Sequence, residues 1–264
     1  ECFTALGIKP ESVRYLWASD IAKDIGYWEK VVRIAKSVSL QRTWRALPIM
    51  GREMSLTDME TAWVYYPCMQ AADIFHMQLD VACGGMDQRK AHMLARDVAE
   101  KLGWKKPACV HTHLLMGLQG LQKSEKEFDE NAEINLQISS KMAKSVPKTC
   151  IFVHDTPEEM WAKIKEAYCP PKQVRGNPVL DIAKHTIFVE KESLEIPRSQ
   201  KYGGPQSFES YEELEKAYVD GGLHPLDLKQ GVAKALTEIL RPVREHFRTH
   251  PENLEKMKQI EVTR

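Results

Sequence analysis

A predicted strand meets a predicted helix in Leu79-Asp-Val-Ala-Cys-Gly-Gly-Met-Asp-Gln-Arg-Lys-Ala-His92. The apolar run from Leu79 to Cys83 is typical of a short strand, and Gly84-Gly85 predicts a turn after it. A helix is expected from Met86 to Leu102, because apolar residues recur on one face. Residues 107–111 predict the next strand. Strands separated by a helix of this length indicate a parallel sheet, whose ligands bind at the carboxyl ends of the strands.

The flanking segments extend this pattern in both directions. Residues 13–17 alternate polar and apolar side chains and predict a strand, and residues 27–40 predict a helix. Periodicity fails from Gln119 to Ser140, where acidic residues outnumber lysines, so we expect a solvated, mobile loop there.

Beyond that loop the chain becomes mainly helical. Capping boxes predict helix starts at Thr156 and Ser210. An apolar stripe from Leu226 onward predicts one long helix that Pro242 kinks. We therefore expect an α/β protein, with a parallel-sheet domain in residues 1–150 and a mainly α-helical domain in residues 151–264.

The composition is that of an ordinary globular protein. The 264 residues are 43% hydrophobic and 28% charged, which excludes disordered, collagen-like and coiled-coil proteins. Lys+Arg and Asp+Glu number 37 each, so the net charge is zero. The net charge therefore gives no indication of a polyanionic partner such as DNA. It is weak evidence, because such partners bind to local charged patches. No apolar stretch approaches the roughly 20 residues of a membrane helix, so no membrane partner is expected.

The cysteine spacing argues against a metal centre. The six cysteines lie far apart, with no pair at the spacing of a zinc site, and we assign no metal ligands. We expect reduced, mostly buried thiols in a cytoplasmic protein. Residues 1–20 lack the order of regions that defines a signal peptide, so secretion is not expected.

Three polar side chains share one face of a predicted helix in Tyr66-Pro-Cys-Met-Gln70-Ala-Ala-Asp73. Spacings of four and three place Tyr66, Gln70 and Asp73 together if Pro67 is the first helical residue. A polar surface face on a half-buried helix would give the same pattern. The apolar residues at 74, 75 and 77 weigh against that alternative, because a carboxylate among them is costly without a partner.

Two further segments carry groups that could bind a ligand. Gln88 lies where the first predicted strand turns into its helix, although a tight turn explains the neighbouring glycines equally well. His92, one turn further on, faces the core, the solvent or a ligand. Lys141-Met-Ala-Lys144-Ser145 offers two ammonium groups and a hydroxyl, which suit closure over phosphates during phosphoryl or adenylyl transfer. A solvated basic loop is the alternative for this segment.

Together and in this order, these segments resemble the class I aminoacyl-tRNA synthetases, specifically the archaeal and eukaryotic type of tyrosyl-tRNA synthetase. Residues 141–145 are similar to the signature Lys-Met-Ser-Lys-Ser, with Ala143 replacing the first serine. The Tyr-Pro-x-x-Gln-x-x-Asp helix and the Gly-x-Asp/Glu-Gln-Arg-Lys segment ending at Lys90 resemble the tyrosine pocket. The similarity continues to Leu223-His-Pro-Leu-Asp-Leu-Lys229 and covers nearly the whole chain.

The resemblance implies an enzyme that activates L-tyrosine with ATP and transfers it from tyrosyl-adenylate to tRNATyr. It implies that Tyr66, Gln70 and Gln88 hold the α-amino end of tyrosine and that Asp73 accepts the phenolic hydroxyl. Such an acceptor disfavours phenylalanine, which would leave it unpaired, and argues against tryptophan, whose indole has no hydroxyl.

For ATP, the resemblance implies that catalytic Lys141 and Lys144, together with Ser145, contact the phosphates, with Mg²⁺ on the phosphates.

For tRNA, the resemblance implies that Tyr202 stacks on an anticodon base and that Asp227, with His224 nearby, hydrogen-bonds the first anticodon base. A helix start explains His224-Pro225 equally well. Arg45 aligns with the arginine that recognises the first acceptor-stem base pair. A homodimer is expected on the same grounds.

Residues 1–150 would then be the C-terminal part of a catalytic Rossmann domain, and residues 151–264 an anticodon-binding domain. Nothing in the chain matches the first signature of the family, His-Ile-Gly-His. We therefore expect at least two strand-helix units, roughly 60 to 90 residues, to precede Glu1. A truncated chain, a partner polypeptide and a degenerate paralogue are the competing explanations. The alternative function is a non-catalytic tRNA-binding or interaction module.

Overall fold

The computed structural model describes residues 1–47, 60–122 and 131–259. Its helices and strands are, in chain order, α1 (Cys2–Ala5), α2 (Ala18–Ile21), α3 (Ile25–Ser37), α4 (Leu40–Trp44), α5 (Thr61–His76), β1 (Val81–Gly85), α6 (Arg89–Leu102), β2 (Ala108–Thr112), α7 (Ala132–Ser140), α8 (Pro157–Glu166), α9 (Pro178–Ile182), α10 (Phe188–Glu190), β3 (Leu194–Ile196), β4 (Gln206–Phe208), α11 (Tyr211–Asp220), α12 (Pro225–Ile239), α13 (Arg241–Thr249) and α14 (Glu252–Gln259). A π-helical turn, Ala183–Ile187, joins α9 to α10.

The predicted strand-helix-strand unit is present. β1 and β2 pair in parallel from Val81 opposite Ala108 to Gly85 opposite Thr112, and α6 connects them. Gly103, at a φ of 66°, ends α6 in the left-handed conformation that glycine adopts without steric cost. The turn predicted at Gly84-Gly85 is wrong, because pairing with β2 continues through both glycines and the chain turns only afterwards. The α/β fold class is confirmed.

Contacts divide the described chain into two compact units. The sheet unit comprises the described part of residues 15–114 together with residues 131–139. Its core contains Val31 and Ile34 from α3, Ala71 from α5 and Leu94 and Val98 from α6, all fully buried. These positions recur at helical spacing, so burial of their apolar faces explains why the helices form.

The helical unit comprises residues 1–14, 115–122 and 140–259. Its core surrounds the antiparallel pair β3–β4 and draws on α8, α9, α11 and α12. Gly231 lets α12 lie against β3, since a Cβ there would meet Ile196 Cδ1 at 2.3 Å and the Glu195 carbonyl oxygen at 3.1 Å. Residues 115–122 and 140–150 belong to the same unit as the C-terminal residues, so the boundary between the two units does not fall at Cys150. The division into catalytic and anticodon-binding domains stays a prediction.

Capping explains two helix starts in the helical unit. At α8, Thr156 Oγ1 accepts the Glu159 N–H at 3.2 Å, and the Glu159 carboxylate accepts the Thr156 N–H at 2.9 Å, which completes the predicted capping box. At α11, Ser210 Oγ accepts the Glu213 N–H at 3.3 Å, but the Glu213 carboxylate accepts the Glu209 N–H instead. The second helix start is confirmed with half of its box.

Three sequence-based expectations are wrong. Residues 13–17 form no strand, because no described segment pairs with them and Tyr15 to Trp17 are exposed. Residues 132–140, which lie in the expected loop, form α7, while residues 123–130 lie outside the described residues. The long C-terminal helix breaks into α12 and α13 at Leu240 instead of kinking, because Pro242 lies in the first turn of α13, where its missing N–H costs nothing.

The cysteines and the helices bear on the remaining general expectations. All six cysteines are free thiols, but only Cys68 is buried, Cys83 is exposed, and the other four are half-buried. The expectation of mostly buried thiols is therefore wrong. Within the described ranges, every helix falls short of the length and apolarity required to cross a membrane.

Candidate functional site

The helix α5 carries three of the predicted site residues on one face. Tyr66 is 46% exposed, and Gln70 and Asp73 are half-buried, while Cys68 and Ala71 on another face are buried in the core of the sheet unit. Pro67 lies inside α5, six residues after its start, so the expectation that it begins the helix is wrong. The shared face does not depend on where the helix begins, because it follows from the spacing alone.

A direct hydrogen bond joins two predicted site residues from different elements. Gln70 Nε2 donates to Gln88 Oε1 at 2.8 Å. Gly84 makes room for this contact, since a Cβ there would lie 3.2 Å from Gln88 Cγ. Gln70 Oε1 is buried and has no hydrogen-bond partner in the described part of the chain. A buried acceptor without a donor is costly, so this oxygen suits a ligand that brings one.

Asp73, one turn further along α5, lies in an environment that opposes its charge. Burial raises the pKa of its carboxyl group above the ordinary value of 3.8. Tyr27 and His76 act in the other direction, Tyr27 through a side-chain hydrogen bond and His76 through its charge. Asp73 is thus a half-buried carboxylate that has lost part of its hydration, and a further hydrogen-bond donor from a ligand would stabilise its charge.

Tyr27 is a site residue that the sequence analysis did not identify. It is 3% exposed on α3, and its hydroxyl lies 3.4 Å from the carbonyl oxygen of Met69, the i−4 residue of Asp73 on α5. Burial and then the neighbouring Asp73 carboxylate raise the pKa of its phenol. The phenol therefore stays protonated, and its hydroxyl donates a hydrogen bond to the Met69 carbonyl oxygen. In the sequence, Tyr27 looks like an ordinary core residue at helical spacing, and nothing local connects it with Asp73.

His92 faces the core and pairs with a second histidine. His92 Nδ1 and His111 Nε2 lie 3.1 Å apart, which joins α6 to β2. Burial is the main cause that lowers the pKa of both rings, so they are neutral at pH 7, and one donates to the other. Of the alternatives left open for His92, the structure supports a core residue, positioned beneath Gly84.

The segment Lys141–Ser145 has a fixed base and an exposed tip in the helical unit. Lys141 pairs with Met116 in a β-bridge, and Met142 packs against the core. The Val146 N–H donates to the Ala143 carbonyl at 3.0 Å and closes a turn. Lys144 and Ser145 are exposed in that turn, while Lys141 is half-buried. Ala143 stands where the family signature has serine, and the segment still carries the ammonium groups of Lys141 and Lys144.

The residues expected to contact RNA are exposed or half-buried. In the helical unit, Tyr202 is 61% exposed at the end of a 3-10 helix, and Asp227 lies in the first turn of α12. His224 is the N-cap of α12, and its Nδ1 accepts the Leu226 N–H at 3.1 Å. The helix-start interpretation of His224 is confirmed, and only Nε2 is left for a ligand. Arg45, in the sheet unit, is exposed at the end of α4.

Comparisons with known proteins give one consistent assignment. Residues 2–241 match the family of class I tRNA synthetases for W and Y. The chain is 50% identical over 241 residues to a tyrosine–tRNA ligase from Aeropyrum pernix, covering 91% of this chain and 66% of that protein. It is 50% identical over 255 residues to one from Sulfurisphaera tokodaii, covering 96% and 68%.

A solved structure gives the same result. The tyrosyl-tRNA synthetase from Pyrococcus horikoshii, complexed with L-tyrosine, superposes with a TM-score of 0.86 at 40% identity, over 97% of this chain and 71% of that one. The chain thus spans about two thirds of the length of the two curated ligases named above.

The chain belongs to the class I tRNA synthetases. Within them it is of the archaeal tyrosine–tRNA ligase type, and its enzyme class is that of the aminoacyl-tRNA synthetases. The expected family, Rossmann-like fold and enzyme class are confirmed.

Proposed function

We propose that L-tyrosine binds on the polar face of α5, where Tyr66, Gln70, Asp73 and Gln88 contact it. The hydrogen bond between Gln70 and Gln88 is the observation that carries this proposal, because it unites two of these four residues from separate elements. The Pyrococcus horikoshii relative, at 40% identity, binds L-tyrosine in its solved structure.

The orientation of tyrosine follows from the polarity of the site. The ammonium group donates to the unpaired Gln70 Oε1, and Tyr66 and Gln88 add contacts at the same end. The phenolic hydroxyl donates to Asp73, one turn away. Phenylalanine lacks that donor and leaves the Asp73 carboxylate unpaired in a half-buried site, which disfavours its binding.

ATP reacts with the bound tyrosine in the first step. The tyrosine carboxylate attacks the α-phosphorus, pyrophosphate leaves, and no covalent bond to the enzyme forms. Lys141 and Lys144 stabilise the charge on the phosphates, and Ser145 adds a hydroxyl donor. Mg²⁺ arrives with ATP, bound to phosphate oxygens. The fixed base and exposed tip of this segment support a role in closing over the phosphates.

The tyrosyl group then passes to tRNATyr. Tyr202 offers an exposed ring for stacking, and Asp227 offers an acceptor for the first anticodon base. His224 contributes through Nε2 alone, and Arg45 contacts the first acceptor-stem base pair. Residues 1–150 act in catalysis and residues 151–264 in anticodon binding.

The protein acts as a homodimer in the cytoplasm. The support for a dimer is an apolar stripe on α3, where Ile25, Trp28 and Val32 recur at helical spacing and are exposed. A second copy of the same surface would remove these side chains from water.

Tyrosine-dependent ATP–pyrophosphate exchange by the intact protein tests the proposal. Gln88→Ala removes the partner of Gln70, and we expect the KM for tyrosine to rise about 2- to 10-fold, the effect of one neutral hydrogen bond. Gln41→Ala, at an exposed position on α4, is the matched control.

Two outcomes would contradict the proposal. Exchange that depends on tryptophan and not on tyrosine would refute the substrate assignment. Salt-sensitive tRNATyr binding by the intact protein, without any exchange, would favour the alternative of a non-catalytic tRNA-binding module.

A further inference from the structure

Arg198, in the connection between β3 and β4, contacts two of the residues that the proposed function assigns to the anticodon, Tyr202 and Asp227. Its Nη2 donates to the carbonyl oxygen of Tyr202, and its Nη1 donates to the carbonyl oxygen of Gly222 at 3.1 Å. Its Nε lies 3.5 Å from Asp227 Oδ2. One side chain thus joins the 3-10 helix that ends at Tyr202, the chain before α12 and the first turn of α12.

The burial and shape of the guanidinium make these contacts rigid. The Arg198 side chain is 14% exposed and that of Asp227 23% exposed. The donors of a guanidinium form a planar fork, so the two carbonyl acceptors bound by it and the carboxylate beside Nε keep a fixed relation to one another. An ammonium group on a flexible stem would satisfy at most part of this set.

The contact with Asp227 is electrostatic and leaves the carboxylate available. Arg198 Nε is buried and forms no hydrogen bond within the described residues, so its relation to Asp227 is one of charge. The positive charge offsets that of the carboxylate, which otherwise repels a polyanionic RNA. Tyr202 meanwhile keeps its ring in solvent, with Lys201 Nζ 5.6 Å from the ring centroid.

We infer that Arg198 is a positioning residue for anticodon recognition. It fixes the backbone that presents the Tyr202 ring and the carboxylate of Asp227 in one geometry, so that a base stacked on the ring meets the acceptor. The inference rests on the proposed roles of Tyr202 and Asp227 in binding tRNATyr.

The test compares aminoacylation of two transcripts by the intact protein, tRNATyr and the same RNA with its first anticodon base replaced. Arg198→Met removes the charge and the fork, and Arg198→Lys keeps the charge alone. Lys234→Met is the matched control, because Lys234 is an exposed cation of the same unit that pairs with Glu195 at 3.0 Å. Tyrosine-dependent pyrophosphate exchange normalises every rate to the amount of active protein.

For Arg198→Met we expect the KM for tRNATyr to rise about 10-fold with little change in kcat, and the preference for the correct first base to fall by a similar factor. Arg198→Lys should lose most of that preference too, whereas Lys234→Met should keep it. If both Arg198 variants melt at the wild-type temperature and retain the full preference, the inference is wrong. A wild-type protein that does not distinguish the two transcripts would overturn the anticodon site itself.

Discussion

The replacement Asp73→Ala separates selectivity from packing. Asp73 is the half-buried carboxylate at the phenol end of the proposed tyrosine site, and its ionised form has lost part of its hydration. Alanine removes the acceptor for the substrate hydroxyl and keeps the propensity of α5 for a helix. Tyrosine should therefore lose a specific contact that phenylalanine never makes.

The magnitude follows from the strength of one hydrogen bond to a charged group, about 1.5 to 3 kcal/mol. Losing it should lower kcat/KM for tyrosine about 10- to 150-fold, while the value for phenylalanine stays level or rises. The ratio of the two should fall by at least that factor. The free energy of unfolding should change by less than about 1 kcal/mol, because the lost contacts are offset by relief of the buried charge.

Pyrophosphate exchange with each amino acid measures the ratio, and chemical denaturation measures the stability. Asp97→Ala is the control, since Asp97 is an exposed carboxylate of the same unit that pairs with Arg42 at 2.9 Å. If Asp73→Ala unfolds the protein and leaves the tyrosine to phenylalanine ratio of the remaining active fraction unchanged, Asp73 is a structural residue and the assignment is refuted.

The pH dependence of stability, compared between the wild type and Asp73→Ala, adds an independent check. Because burial raises the pKa of Asp73 in the folded state, the folded protein binds more protons than the unfolded chain as pH rises from 3.8. That carboxyl group therefore stabilises less as pH rises through this window. As pH rises from acidic to neutral, the free energy of unfolding of Asp73→Ala should therefore increase relative to that of the wild type. A relative decrease would contradict the burial argument.

Three further perturbations test other parts of the structure. Gly231→Ala should lower the free energy of unfolding by about 1 to 2 kcal/mol in denaturant titration, because overpacking against buried Ile196 outweighs the helix propensity of alanine. A stabilised variant would refute the close approach of α12 to β3. Lys144→Met should lower the rate of exchange at least about 10-fold, with Lys148→Met, an exposed neighbour, near the wild type; equal effects would contradict a specific phosphate contact. His92 and His111 have pKa values lowered below 6.5, so the unfolded chain binds more protons and stability is lost as pH falls below 6.5; His111→Gln should flatten that loss in melting curves.

Local patterns predicted much of the fold. The strand-helix-strand unit from 79 to 112 follows from periodicity and a terminating glycine, and the capping box at Thr156 forms both of its bonds. Such signals lie within one element and its ends. Residues 13–17 have an equally good strand pattern, yet a strand requires a neighbour to pair with, and no local pattern reports one.

The candidate site was predictable where its residues share one helix. Tyr66, Gln70 and Asp73 follow from spacing, and Gln88, 18 residues beyond Gln70, follows from its position where a predicted strand turns into a helix; the resemblance to a family added their roles. Tyr27 and Arg198 were not predictable in the same way, because each acquires its role from residues distant in sequence. In the sequence, Arg198 cannot be told from an ordinary surface arginine, because Asp227 lies near it only in the folded structure.

The two faces of α5 have a consequence for how this protein adapts. Cys68, Ala71 and Ala72 hold the helix against the core, whereas Tyr66, Gln70 and Asp73 are the proposed ligand contacts, so the two sets share no residue. Substrate preference can change by replacing the second set while the first keeps the scaffold in place. A library randomised at 66, 70 and 73 should therefore retain mostly folded members, which makes this helix a starting point for accepting unnatural amino acids.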